Sequence, residues 1–121
     1  FPADRARLSP DELHQNVLLG SRVVAELGAD AIKTFYTNDF KAVTSSCPVP
    51  VFGLGAEKLP TQKEALELAA REAADGAGGV VFGRNAIQVP DPAAFQAALC
   101  DVVKHGVTVD EAARGHGLSS E

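Results

Sequence analysis

Residues 31–35 read Ala-Ile-Lys-Thr-Phe, and this run decides the fold together with two similar runs further along the chain. The others are Pro-Val-Phe-Gly-Leu at 50–54 and Gly-Val-Val-Phe at 79–82. None of them alternates regularly between polar and apolar residues, a pattern typical of strands that are buried on both faces of a parallel sheet. The sequence therefore predicts three parallel strands.

Helical segments separate the predicted strands. Ser9 with Glu12 and Thr61 with Glu64 have the spacing of a capping box, in which side chain and backbone bond to each other at a helix start. The predicted helices are 9–27, 39–46, 61–74, 91–105 and a short one that begins at 108–111, followed by a frayed tail over 115–121. The first helix is expected to face inward with Leu13, Val17, Gly20, Val24 and Leu27. Strands alternating with helices predict an α/β fold, and three strands are a credible sheet only as part of a larger one.

Composition limits the classes of protein. The chain has 121 residues with 16 acidic and 11 basic side chains, a formal charge of −5. This suits one domain over 1–121, with an N-terminal segment 1–8 and a C-terminal helix and tail 107–121. The acidic balance argues against nucleic acid as a partner.

There is no apolar stretch of the ~20 residues that span a bilayer and no signal peptide, so we expect a cytoplasmic protein without a membrane partner. No Met is present, which suggests a further segment upstream of Phe1.

The cysteines and histidines do not suggest a metal site. Cys47 and Cys100 lie far apart, without the spacing of a zinc site or a disulfide scaffold, and are expected to be buried free thiols. His14, His105 and His116 are not spaced as ligands or as a catalytic pair, and surface positions are expected for them. The sequence therefore predicts neither a metal nor a cofactor.

Lys33 is the unusual residue of the first strand. A lysine is rarely buried unless it is paired or used in chemistry, and burial favours its neutral form. A neutral amine can attack a carbonyl carbon and form a Schiff base. The alternative is that Lys33 lies near a strand end and extends its amine to solvent, and position alone favours that alternative.

Small residues follow the second and third strands. Gly55 and Ala56, and then Gly83 and Arg84, would let backbone N–H groups approach an anion, and a guanidinium can bind a phosphate through two hydrogen bonds. In (β/α)8 barrels the loops after the last two strands often form such a phosphate site. The alternative is that the glycines only make tight turns and Arg84 pairs with a carboxylate.

Three other candidates are weaker. The phenol of Tyr36 could transfer a proton, but aromatic packing against a loop is commoner. Lys58 could be a second cation near Lys33, but an ordinary loop lysine is expected. The hydroxyl groups of 44–46 have no base beside them, so they do not predict a serine nucleophile.

Several motifs in the same order resemble the DeoC/LacD-like class I aldolases. They are Glu-Leu-Gly-Ala-Asp-Ala-Ile-Lys-Thr-Phe-Tyr at 26–36, Cys-Pro-Val-Pro-Val at 47–51, Lys-Leu-Pro-Thr at 58–61, and Gly-Arg-Asn at 83–85 with Gln88 and Asp-Pro at 91–92. The nearest branches are the archaeal-type fructose-bisphosphate aldolases and the thiolase acting on the phosphorylated autoinducer-2 signal. The resemblance extends from about Ser9 to about Lys104.

This resemblance implies a (β/α)8 TIM barrel of which the chain supplies units six to eight and the preceding helix. Lys33 matches the lysine that forms the imine, in a reaction that needs no metal. The resemblance assigns Gly55, Ala56, Gly83 and Arg84 to the phosphate of a phosphorylated carbonyl substrate.

The chain also departs from the family pattern. Such a barrel has roughly 250 residues, so the first half is missing together with an acidic residue that the family has upstream. The aldolase branch has a Tyr-Pro pair on the fifth strand, and Phe1-Pro2 is at about the right distance to be its remnant without the hydroxyl group. Ala56 stands where a second glycine is common, and its methyl group could crowd a phosphate.

Two other readings stay open at this point. The chain can be a non-catalytic phosphate-binding or assembly subunit that completes a barrel with another chain, or it can form a homo-oligomer. Another barrel with a phosphate site, such as an isomerase or a synthase, would not need Lys33.

Overall fold

The computed structural model describes residues 5–121, so Phe1-Pro2 lies outside the described residues. After a 3₁₀ turn at Arg5–Arg7, the helices are α1 (Pro10–Glu26), α2 (Phe40–Ser46), α3 (Gln62–Ala74), α4 (Arg84–Ile87), α5 (Pro92–His105) and α6 (Val109–Gly115). The strands are β1 (Ile32–Thr34), β2 (Val51–Leu54) and β3 (Gly79–Val81). Each predicted strand and helix is present within one to four residues of the expected bounds, and α4 is an addition.

The sheet has the order β1-β2-β3, and both pairs are parallel. Lys33 lies opposite Phe52, and Phe52 lies opposite Gly79. One residue further along both strands, Thr34 lies opposite Gly53. The predicted parallel α/β architecture is confirmed, and all three strands end at the same edge of the sheet.

Local sequence sets the helix starts. Ser9 and Glu12 form the predicted capping box at α1, and Thr61 and Glu64 form the second one at α3. Each box satisfies backbone N–H groups that have no partner inside the helix. Gly106 ends α5 in the left-handed conformation, with φ +66°.

Helices cover one face of the sheet. A first cluster joins α1, α2 and the strands around Val17 and Phe40, and a second joins α3, α5 and α6 around Leu66 and Phe95. On the opposite face Lys33 is exposed and Val81 is 42% exposed. The expectation that the strands are buried on both faces is therefore wrong for the described part of the chain.

Two expectations about the ends also need correction. Val17 is buried as predicted, but Val24 is 48% and Leu27 81% exposed, so the side of α1 that carries these two residues is not covered by described residues. The tail is docked and not frayed. The backbone O of Glu121 accepts a hydrogen bond from the N–H of Gln62 at 2.9 Å, and the Gln62 side chain donates to Ser119 Oγ at 3.1 Å.

Candidate active site at the carboxyl edge of the sheet

The exits of β2 and β3 are joined by side chains of α4. Arg84 Nη2 donates a hydrogen bond to the backbone O of Ala56 at 3.0 Å. Asn85, which is 1% exposed, donates through Nδ2 to the O atoms of Gly55 at 3.1 Å and Glu57 at 2.9 Å. Its Oδ1 accepts from the N–H of Leu59 at 2.8 Å. The two loops therefore form one unit.

This unit brings together the four residues assigned to phosphate by the sequence. Arg84 contacts a backbone carbonyl, and the structure shows no ion pair between it and a carboxylate among residues 6–121. The structuring role of Asn85 was not predicted. The sequence shows only an amide side chain directly after Arg84. The hydrogen bonds that Asn85 makes depend on a loop about 25 to 30 residues earlier in the chain.

The backbone at Gly55 and Ala56 is unusual. The N–H of Gly55 continues the sheet by donating to Val81 O at 3.3 Å. Ala56 has φ +54°, in the left-handed region that favours glycine. The N–H groups of Ala56 and Gly83 donate to no other residue within 5–121, so they are available to an anion.

A cavity of about 240 Å³ lies between the exits of β1 and β2. Gly55 and Ala56 contribute to its wall together with Phe35, Leu54 and Leu59. It provides room beside the loop that carries the candidate phosphate-binding residues.

Lys33 extends from the open face of β1. Its neighbours Ile32 and Thr34 are buried on the helix-covered face, as alternation along a strand requires. Lys33 is exposed, and no contact joins it to the four phosphate candidates in the described structure. By register it lies three residues before the level of Gly55, or about 10 Å along the strand direction at ~3.3 Å per residue.

Tyr36 is a packing residue on the helix side of the sheet. Its hydroxyl donates to Asp75 Oδ2 at 2.7 Å, its ring lies 5.2 Å from that of Phe40, and the Arg71 guanidinium lies 5.7 Å from its centroid. Burial, followed by the hydrogen bond and charge of Asp75, raises the pKa of Tyr36 to about 12. These contacts confirm the expectation of aromatic packing, and Tyr36 also lines the cavity between the exits of β1 and β2.

The other candidates are held by neighbours. Lys58 Nζ donates to Leu59 O at 2.9 Å, as an ordinary loop lysine does. His14 was expected at the surface, but it is buried, because Thr37 Oγ1 satisfies its Nδ1 at 2.9 Å. His116 pairs with Asp101 at 2.7 Å.

Both cysteines are free, as predicted. The expectation of burial is wrong for Cys100, which is exposed, and only partly met by Cys47, which is half-buried. Across residues 5–121, no group of three His, Cys, Asp or Glu side chains is arranged to hold a metal ion. The same residues include no helix with the length and apolar character needed to cross a bilayer.

The parallel strands, which alternate with helices and have small residues and an arginine at their carboxyl edge, define an α/β protein. A family model for DeoC/LacD family aldolases matches residues 6–89. The chain belongs to the DeoC/LacD family of aldolases.

Curated relatives support the same family assignment. The 3-hydroxy-5-phosphonooxypentane-2,4-dione thiolase of Salmonella paratyphi A is 42% identical over 95 residues, which cover 78% of this chain and 32% of the relative. The thiolase with the same name from Enterobacter sp. (strain 638) is 43% identical over 95 residues, with the same coverage. The chain thus spans about a third of the length of these relatives.

Solved structures agree on the fold. An archaeal fructose 1,6-bisphosphate aldolase superposes with a TM-score of 0.69 at 32% identity. A Schiff base-forming fructose-1,6-bisphosphate aldolase gives 0.70 at 33% identity. Both matches cover 78% of this chain and 38% of the other. The expected part of a (β/α)8 barrel is confirmed by this agreement.

Proposed function

We propose that this chain is the C-terminal part of a class I aldolase-like enzyme in which Lys33 forms a Schiff base with a phosphorylated ketose or a related carbonyl compound. The observation that carries the proposal is the placement of Lys33 on the open face of β1, below an edge where Arg84 and Ala56 join two loops. In a closed barrel this face lines the interior, so the exposed amine would face the substrate.

The separation between amine and loops fits a phosphorylated substrate. The lysine side chain covers part of the ~10 Å along the strand direction, and a sugar phosphate of several carbons covers the rest. The N–H groups of Ala56 and Gly83 and the outer side of the Arg84 guanidinium would bind the phosphate. The reacting carbonyl would then lie at the amine.

The chemistry follows from the amine. Neutral Lys33 Nζ attacks the carbonyl carbon to give a carbinolamine, which loses water to form the imine. The C–C bond between the α and β carbons of the protonated imine then breaks, and its electron pair forms the enamine, while a base removes the proton of the hydroxyl group on the β carbon, which leaves as a carbonyl compound. Protonation of the resulting enamine and hydrolysis of the imine regenerate the amine. No step calls for a metal ion or an organic cofactor.

The substrate class is a phosphorylated small carbonyl compound, either a ketose bisphosphate or a diketone phosphate. The solved relatives act on the former and the curated relatives carry the name of the latter. We propose the aldolase type of reaction, and the thiolase type differs in the acceptor of the departing group.

The remaining strands of the barrel come from further sequence of the same protein or from a complementary chain. The open face of the sheet and the exposed end of α1 favour such completion, because exposed apolar area of this kind is normally covered. The alternative function is a non-catalytic phosphate-binding subunit. The native mass and any copurifying polypeptide distinguish these arrangements.

Borohydride trapping tests the proposed chemistry. The full-length protein is incubated with dihydroxyacetone phosphate, fructose 1,6-bisphosphate or the diketone phosphate, reduced, and mapped by mass spectrometry. We expect one adduct, on Lys33, that Lys33→Arg abolishes together with turnover. Lys41→Arg, a change at an exposed lysine of α2, is the matched control. Turnover that persists in Lys33→Arg would contradict the mechanism.

A further inference from the structure

Glu72 is an ionisable residue inside the protein. Its side chain on α3 is 0% exposed, and neither carboxyl oxygen has a hydrogen-bond partner among the described residues. An unpaired carboxylate in such surroundings costs far more free energy than a neutral carboxyl group. Burial accordingly raises the pKa of Glu72 to about 8, against a smaller lowering by the charge of Arg71.

The carboxyl group occupies space that Gly53 leaves on β2. A Cβ atom at Gly53 would overlap the Glu72 carboxyl group, with Oε1 only 2.6 Å from it. Thr34, the register neighbour of Gly53, is also buried, and its hydroxyl has no hydrogen-bond partner in the described part of the chain. On the side of β2 the Glu72 carboxyl group therefore faces the backbone of Gly53 and no cation.

Arg71 and Tyr36, the groups whose charges interact with Glu72, are engaged with other residues. Tyr36 donates to Asp75, and Arg71 lies over the Tyr36 ring. On α6, which also packs on α3, Asp110 pairs with Lys63 at 3.1 Å. None of these groups donates a hydrogen bond to Glu72 within 5–121. An ionised Glu72 would have to leave the space at Gly53 to reach water or a cation.

We propose that Glu72 is a positioning residue that acts in its neutral form: its carboxyl group, packed against Gly53, holds α3 on β2 and so fixes the loop between them, and its ionisation releases this contact. That loop, 55–61, carries Gly55 and Ala56 and is anchored at its far side by Asn85. The loop connects the last residue of β2 directly to the first residue of α3, so a shift of α3 moves the loop. The contact itself is independent of the Schiff-base chemistry, and only its effect on the substrate rests on the proposed function.

Thermal unfolding of the full-length protein from pH 5 to 9 tests the neutral form. Against Glu72→Gln, the unfolding temperature of the wild type should fall between about pH 5 and 8, because ionisation is opposed only in the folded state. Glu67→Gln on the same helix is the matched control and should follow the wild type. An infrared band of a protonated carboxyl group, present at pH 6.5 and missing in Glu72→Gln, should disappear at pH 10. Identical pH profiles for wild type and Glu72→Gln would overturn the proposal.

A double substitution tests the contact. Gly53→Ala should lower the unfolding temperature, and adding Glu72→Ala should recover part of the loss, because the carboxyl group no longer competes with the new methyl group. Full tolerance of Gly53→Ala beside Glu72 would overturn the proposal. If Glu72→Gln folds poorly, Glu72→Met keeps the length without ionisation and should give the same flat pH profile.

Kinetics test the positioning role. Between pH 7 and 9 the KM for the phosphorylated substrate should rise several-fold more in the wild type than in Glu72→Gln, while kcat changes equally in both. Equal changes of KM in the two proteins would restrict Glu72 to stability and overturn the positioning role. A missing Lys33 adduct would instead contradict the proposed function, and the unfolding profiles would still decide whether Glu72 is neutral.

Discussion

Arg84 Nη2 lies 3.0 Å from the backbone O of Ala56 and so joins the exits of two neighbouring strands. An arginine that makes this contact keeps its remaining donors in a fixed direction, because the guanidinium is planar. The same side chain can thus shape the loop and bind a phosphate.

Replacing Arg84 with Lys should weaken binding of a phosphorylated substrate. A point charge on a flexible chain loses the planar contact, and a charge-assisted hydrogen bond is worth about 1.5–3 kcal/mol, which corresponds to about a 10- to 100-fold higher KM. Steady-state kinetics of the full-length enzyme measure this change. Arg22→Lys, at an exposed residue paired with Glu26, should leave KM unchanged. A normal KM in Arg84→Lys would refute the assignment of Arg84 to the phosphate.

Ala56→Gly should stabilise the protein or leave its stability unchanged. The left-handed conformation at φ +54° costs an alanine about 1–2 kcal/mol, which a glycine avoids at a cost of about 0.5–1 kcal/mol in unfolded-chain entropy. Ala97→Gly, inside α5, should lose about 1 kcal/mol under the same conditions. Urea unfolding measures both. Equal destabilisation by the two changes would mean that Ala56 does not adopt this conformation.

Tyr36→Phe should leave kcat unchanged and lower stability by about 1 kcal/mol, the value of one hydrogen bond to Asp75. The phenol of the wild type is held protonated in the fold, so stability should fall as the pH rises from about 10 to the folded pKa of about 12. The Tyr36→Phe protein should lack this fall. A large loss of kcat would restore Tyr36 as an acid or base.

Ser119→Ala should lower the free energy of unfolding by about 0.5–1 kcal/mol, because Ser119 Oγ accepts a hydrogen bond from the buried Gln62 side chain. Ser120→Ala, at an exposed neighbour, is the control and should have no effect. Urea unfolding compares the two. Equal stability of both variants would show that the hydrogen bond to Ser119 Oγ does not contribute to the docking of the tail.

The sequence predicted the features that depend on nearby residues. The capping boxes of Ser9 and Thr61 involve partners three residues away, so their pattern is readable directly. The strands and the four phosphate candidates followed from short runs of residues. The proximity of those candidates followed from the rule that parallel strands end at one edge.

Features that depend on distant residues were missed. Nothing beside Glu72 indicates burial, since its place is created by Gly53 nineteen positions earlier. The docking of the tail depends on Gln62, which lies 57 residues before Ser119. For Lys33 the sequence left burial and exposure open, with position alone favouring exposure, and the structure shows the side chain exposed. Its role as a nucleophile stays a prediction that trapping will decide.

The three backbone groups that form hydrogen bonds with Asn85 have a practical consequence for engineering. Asn85 contacts Gly55, Glu57 and Leu59, so the turn between β2 and α3 has a fixed length. An inserted or deleted residue there would leave a buried amide without acceptors. Insertions should be tolerated better in the stretch 88–90, whose residues are exposed or half-buried and which makes no such contact with a buried amide.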